Sequence, residues 1–325
     1  MIDEISRIRK EKNITIVAHF YQKDEVFELA DFSGDSLQLA KMAMEDENPN
    51  LVFCGVGFMG ESVKILSPQK RVFMPKLACC AMARMIDGEH YDTSVALLEK
   101  QGIKKEDILP ITYINSSASV KARVGKMGGM VCTSSNAKKI IDKGLQSGKK
   151  ILFVPDRCLG QNIARINGLS HCVIGDGTDP KEADIICYNG FCSVHQLFSV
   201  DDVEFYRNKY PDIKIVTHPE CPPEVCEISD FVGSTSQIIN YIKSLPLEQK
   251  VAVGTEFNLV NRLRKENTFV LSSTKPECPT MNETTIKDLY KCLKSIEDDE
   301  PINEVFLDDD TTKYAKLALE RMFEI

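Results

Sequence analysis

The sequence predicts an α/β protein made of three similar α/β units with short parallel sheets, set around a shared centre. Two observations carry this. Short β-branched runs such as NITIVAHF, LVFCGV, RVFMP, KILFVPD, KIVTHPE and KVAVGTE alternate with longer amphipathic stretches, and strands separated by helix-length segments build parallel β-α-β units. The same order of strands and polar turns also recurs three times, each round closing on a cysteine: Cys80, Cys192 and Cys278.

In the first round a strand ends at His19 and Tyr21, and Gly34-Asp35-Ser36 opens a helix over SLQLAKMAMED. Leu37, Leu39, Ala40 and Met44 fall there at roughly helical spacing. Two more strands follow, the second leading to Cys80. The second round ends its first strand at Tyr113 and Asn115, then Thr133-Ser134-Ser135-Asn136 opens NAKKIIDKGLQSG, whose final Gly suits a helix C-terminus. Pro155-Asp156 and Cys192 come next. The third runs through His218 and Glu220, Gly233-Ser234-Thr235-Ser236, Gly254-Thr255-Glu256 and Cys278. The spans from first polar residue to cysteine are 19 to 80, 113 to 192 and 218 to 278, so the middle round is the long one. GQNIARINGLSHCVIGDGTDP is its apparent insertion. The expected units are 1–86, 87–198 and 199–278, leaving 279–325 as a tail to pack back on the first unit or on a partner chain. In that tail Asp308 to Asp310 read as solvated surface ahead of a helix, KYAKLALERMF.

The chain has 325 residues, 43% hydrophobic and 27% charged, with a net charge of -8. It is long enough to bury a full core. No basic stripe appears, which disfavours nucleic acid as a partner. No apolar run reaches a membrane-spanning length, and the polar start MIDEISRIRKEKN is not a secretory signal. The expectation is a cytoplasmic protein with no membrane contact. The 12 cysteines include no C-x-x-C pair, so zinc ribbons and thioredoxin-type motifs are excluded. Most, such as Cys54, Cys132 and Cys187, lie in apolar runs and read as packing.

Cys80, Cys192 and Cys278 differ from these by their matched places. One thiolate from each of three repeated units suggests a metal or cluster on a shared axis, and three ligands rather than four leave a position for substrate. That is the layout of a catalytic iron–sulfur site. Helix N-termini present free N–H groups and the positive end of a dipole. The three at GDS, TSSN and GSTS, with His19 and His218, would make a pocket for a small, multiply anionic metabolite. Taken singly, each turn is equally an ordinary helix cap.

AHFYQKDEVFELADFSGDSLQLA, FCGVGFMGESVKIL, TYINSSASVKA, CTSSNA, FVPDRCLGQNIA, NGFCSVH, VTHPEC and DFVGSTSQII resemble, in order, the signature segments of the quinolinate synthase (A protein) family. The resemblance runs from about residue 14 to about 282. It implies three pseudo-symmetric α/β/α units with short parallel sheets around a central active site, and a [4Fe–4S] cluster held by Cys80, Cys192 and Cys278. Cys79 stands beside Cys80, and the family spacing favours Cys80. The C-x-x-C-x-x-C run that some members carry near the third ligand is missing. The implied reaction condenses iminoaspartate with dihydroxyacetone phosphate to quinolinate, with L-aspartate oxidase or aspartate dehydrogenase as the supplier of iminoaspartate. His19, Ser36, Tyr113, Asn115, Ser134, His218, Pro219, Glu220 and Thr235 match the substrate-contacting positions, with Ser135 a neighbour of Ser134 that could take its contact. Tyr21 falls near the reacting atoms.

Within this reading, an iron without a protein ligand acts as a Lewis acid. Glu220, with the imidazoles of His19 and His218, moves protons, and Tyr21 donates to a developing oxyanion. Tyr113 and Asn115 orient substrate carboxylates. His195, three residues after Cys192, is either a neighbour of the cluster or a packed histidine, and Cys221 reads as packing. The rival readings are another cluster-dependent lyase and an iron–sulfur sensor.

Overall fold

The computed structural model describes residues 1–324. It contains three all-parallel sheets whose strand orders match. In the first, β1 (Ile14–His19) lies between β2 (Phe32–Gly34) and β3 (Asn50–Cys54), with β4 (Arg71–Phe73) at the edge, in the order β2-β1-β3-β4. In the second, β5 (Ile108–Tyr113), β6 (Met130–Cys132), β7 (Lys150–Val154), β8 (His171–Val173) and β9 (Ile185–Cys187) run β6-β5-β7-β9-β8. The third, of β10 (Lys214–Thr217), β11 (Phe231–Val232), β12 (Val251–Gly254) and β13 (Thr268–Val270), runs β11-β10-β12-β13. The three-unit α/β architecture expected from the repeat is present. Every residue of β1 and β5 is buried, which is why these runs read as continuous apolar stretches rather than alternating ones.

The helices cover both faces. α1 (Ile2–Glu11), α2 (Asp24–Phe27), α3 (Ser36–Glu45) and α4 (Gly57–Leu66) surround the first sheet. α5 (Gly88–Lys100), α6 (Ala118–Lys126), α7 (Ala137–Leu145) and α8 (Arg157–Ile166) belong to the second. α9 (Val200–Lys209), α10 (Pro223–Glu227), α11 (Thr235–Ser244) and α12 (Phe257–Leu263) belong to the third. GQNIARI is therefore not inserted. It lies in α8, the counterpart of α4 and α12. The extra length is the edge strand β8 with its Gly175 and Gly177 turn (φ 92° and 89°), which β9 then joins from the place β4 and β13 hold in the other sheets.

One apolar core runs through the first two units, from Val17 and Leu51 to Ile151 and Ile186, whereas the third unit keeps two small clusters of its own. The third unit meets the others through polar contacts near the sheet ends. Ser236 Oγ donates to Asp35 Oδ2 at 2.5 Å, and Asn162 Nδ2 donates to the carbonyls of Pro219 (2.8 Å) and Cys221 (3.0 Å). Asn258 Nδ2 reaches the Tyr21 carbonyl at 3.0 Å.

The last helices return to the earlier units. α13 (Ile286–Glu297) packs on α1, where Glu297 pairs with Arg7 at 2.7 Å. α14 (Asp309–Phe323) lies along α6, so close that a Cβ at Gly125 would collide with the Tyr314 carbonyl. The acidic run is exposed, as expected, and also forms the start of this helix. Asp308 caps it by accepting from the Thr311 N–H at 2.8 Å, and Asp310 pairs with Lys126 at 2.6 Å. Carboxylates at a helix start also complement its dipole.

Candidate active site

The carboxyl ends of β1, β5 and β10 face one cavity, the position where open parallel sheets bind ligands. His19, Ser36, Tyr113, Asn115, Ser134, His218, Glu220, Thr235, Tyr21 and the three matched cysteines all line it. Pro219 does not; it is buried behind the wall, and its carbonyl holds Asn162. Ser135 lines the cavity as well as Ser134, whose Oγ is 3.3 Å from His218 Nε2.

His19 and His218 are held by the same local device. The N–H two residues on donates to each Nδ1, from Tyr21 at 3.1 Å and from Glu220 at 3.3 Å. An Nδ1 that accepts leaves the ring proton on Nε2. Burial, above all, pushes both imidazoles down to about 3, and Arg262 and His218 add to the effect at His19. Two neutral Nε2–H donors result, one from each outer unit.

Glu220 sits at the centre of the polar network. Tyr113 donates its hydroxyl to Oε1 at 2.6 Å, so this tyrosine is occupied with the carboxylate. His195 Nδ1 lies 3.1 Å from Oε2, its Nε2 is 3.1 Å from Thr255 Oγ1, and its ring stacks on His218 at 4.8 Å. Burial pushes the Glu220 carboxyl up, but the flanking imidazoles and the Tyr113 hydroxyl outweigh it and hold it below the usual range. The Tyr21 hydroxyl is 3.1 Å from both Thr235 Oγ1 and Thr255 Oγ1, and burial raises its pKa well above the ordinary value. It therefore stays protonated as a donor.

The helix starts divide their labour. Asp35 and Ser234 close capping boxes on α3 and α11, while Ser36 and Thr235, one residue further on, line the cavity. Both readings of these turns hold, for adjacent residues. At α7 the capping residue Asn136 bonds back to the Thr133 N–H at 2.7 Å.

Each cysteine begins a tight helical turn. The carbonyls of Cys80, Cys192 and Cys278 accept from the N–H of Arg84, Gln196 and Asn282, and the turn's own N–H groups at Ala83, His195 and Met281 point at the three sulfurs. Burial pushes the Cys80 thiol up to about 12 and raises the other two. Cys192 lies near Cys80 and Cys278, so a thiolate on either would raise the Cys192 thiol further. Three soft donors converging on one wall, each with backbone donors ready for a thiolate, fit an iron–sulfur cluster. Cys79 is exposed and outside the cavity.

Sequence reasoning underrated three residues. His195 is only 1% exposed and touches Glu220; its signal was the place three residues after Cys192, matched by Ala83 and Met281. Thr255 and Glu256 occupied the third polar turn without a role. Glu256 is fully buried and accepts from the Cys278 N–H at 3.2 Å, and burial raises its carboxyl to about 7. Cys221 is buried packing, as expected.

The family profile described as quinolinate synthetase A protein matches residues 3–324. A quinolinate synthase of Helicobacter pylori is 54% identical over 327 residues, 99% of this chain and 97% of that protein. One from another Helicobacter pylori strain is 57% identical over 316 residues, covering 95% and 94%. One from Streptomyces coelicolor is 40% identical over 345 residues, covering 98% and 87%. The match extends over the whole architecture, from α1 through the tail helix α14, and on it the chain belongs to the quinolinate synthetase A protein family.

Proposed function

We propose that this chain is a quinolinate synthase that condenses iminoaspartate with dihydroxyacetone phosphate to quinolinate, releasing phosphate and water, in the biosynthesis of NAD. The observation that carries the reading is that one cysteine from each unit lines the same cavity, with ligand atoms of Cys192, His195 and Glu220 all within 4.8 Å of one another. Cys80, Cys192 and Cys278 would hold a [4Fe–4S] cluster, which supplies a Lewis-acidic iron when bound.

The chain's own residues do the rest. Both substrates are anions, and Ser36, Ser134 and Thr235 offer hydroxyls at helix starts whose N–H groups favour negative charge. The neutral Nε2–H groups of His19 and His218 add donors without the cost of a buried cation. Glu220, ionised between His195 and Tyr113, is the base for the proton lost as the enamine and imine tautomers interchange and water leaves. Tyr21 donates to the oxygen where negative charge grows. Asn115 orients a substrate carboxylate. Burial of His19, His218, Glu220 and Thr235 strengthens their interactions. Among the described residues no helix is long and apolar enough to cross a membrane, consistent with a cytoplasmic enzyme fed by an L-aspartate oxidase or an aspartate dehydrogenase.

Anaerobic purification with iron and sulfide counting, followed by assay with both substrates, tests the reading. About four of each per chain with quinolinate formed supports it. A brown protein inert with this pair points to another cluster-dependent lyase. A colourless protein that cannot be reconstituted refutes the cysteine assignment.

A further inference from the structure

The cavity is built for anions, yet among the described residues none that lines it is Lys or Arg. Two cations stand behind the wall: Arg262, which acts on His19 but is paired with Asp24 at 2.7 Å, and Lys121. Lys121, on α6, is 0% exposed. Its Nζ donates to the Ile114 carbonyl at 2.8 Å and to the Ser116 carbonyl, and lies 5.4 Å from the centre of the Phe58 ring. No carboxylate makes an ion pair with it among the described residues; the nearest charge is Glu61, which spends an oxygen on the Ala118 N–H at 2.8 Å. A buried lysine that is not paired with an acid needs a reason, because burying the charge is costly.

Ile114 and Asn115 both line the cavity. The peptide joining them is planar, so its carbonyl and its N–H point in opposite directions. The carbonyl is taken on the α6 side by Lys121 and by the Ser116 N–H at 2.8 Å. Among the described residues nothing accepts from the Asn115 N–H, nor does the Asn115 side chain make a hydrogen bond. A cation on the oxygen of an amide polarises its N–H, since hydrogen bonds along a chain reinforce one another.

We propose that Lys121 is the anion-attracting charge of this site, acting through the Ile114–Asn115 peptide so that the Asn115 N–H becomes a strengthened donor to a substrate carboxylate. The inference rests on the reading of the cavity given above. Placing the charge behind a peptide keeps the ammonium from forming a Schiff base with a carbonyl substrate, which an exposed lysine in the cavity would do. Burial lowers the Lys121 ammonium to about 7, and an anion bound in front of it favours the charged form. Lys121 is thus a positioning residue, touching no reacting atom.

The test uses anaerobically reconstituted full-length enzyme, with quinolinate itself as the dicarboxylate probe. Lys121→Met removes charge and donor; Lys121→Gln keeps a donor for the carbonyls but removes the charge. Both are expected to raise the inhibition constant of quinolinate and the KM for iminoaspartate about tenfold, with kcat falling far less than KM rises. Iron content should stay near wild type, and Tm should fall less for Lys121→Gln than for Lys121→Met, which leaves the Ser116 carbonyl without its donor. A Lys121→Gln enzyme with wild-type inhibition constant and KM overturns the electrostatic role. So does a loss confined to kcat and Tm, which marks Lys121 as structural only. Should Lys121→Met not assemble, Lys121→Gln alone decides. Wild-type turnover in the same series tests the proposed function separately.

Discussion

Asn162 gives the sharpest prediction, because it joins the second unit to the turn that carries Glu220. Its Nδ2 donates to the carbonyls of Pro219 and Cys221 on either side of Glu220, at 2.8 and 3.0 Å, and lies 3.3 Å from Cys226 Sγ. Asn162→Ala leaves the Pro219 carbonyl without a donor and the Cys221 carbonyl with only a weak thiol contact at 3.6 Å. A buried group stripped of its partner costs about 1–3 kcal/mol, so the expected loss is about 3 kcal/mol. For a chain of this size that is a fall in Tm of roughly 4 °C. The catalytic effect should be larger, because a shift of about 1 Å in a reacting group costs on the order of a hundredfold. Thermal melts and quinolinate formation by the anaerobic enzyme measure the two. A lowered Tm with kcat/KM within about twofold of wild type would show that His195 and Tyr113 alone fix Glu220, and an unchanged Tm would refute the clamp.

Glu220→Gln keeps the hydrogen bond from Tyr113 but removes the base, so kcat should fall about 10²–10⁴-fold with iron content unchanged; equal loss of iron would mean that the residue serves assembly instead. Cys80→Ser should abolish the brown chromophore and Cys79→Ser should leave it, as read from the visible spectrum of reconstituted protein. Acid stability follows from His19 and His218. Both imidazoles sit near 3 in the fold, against about 6.5 unfolded, so the unfolded chain binds more protons between those values. Stability then falls as pH drops through about 6.5 and goes on falling toward 3, by up to about 2.7 kcal/mol per pH unit for the pair. Denaturant titrations of a His19→Gln, His218→Gln protein between pH 6 and 4 should show a shallower slope, and an unaltered slope would contradict the neutral assignment.

How much of this was legible depends on whether the signal was local. His19 and His218 were readable because each ends a strand and is fixed by the N–H two residues on. Ser36 and Thr235 stood beside helix caps whose residue types announce themselves. The role of Asn162 was not readable, since its partners lie 57 and 59 residues away and the repeat had assigned its segment to an insertion. Tyr113 was expected to orient a substrate carboxylate, whereas its hydroxyl donates to Glu220, 107 residues away. His195 and Lys121 share another obstacle. A buried polar side chain inside an apolar stretch looks the same in sequence whether it packs, positions or reacts, and only its neighbours tell these apart.

The seat of α14 on α6, where Gly125 gives up its side chain to admit Tyr314, carries a consequence for synthesis. The second unit cannot complete its core until the final helix has left the ribosome, because Ala315, Ala318, Leu319 and Met322 belong to that core. Nor can the wall that holds Asn115 settle before then. Removal of α14 should therefore leave α6 uncovered and the nascent protein prone to capture by chaperones, although no residue removed lines the cavity.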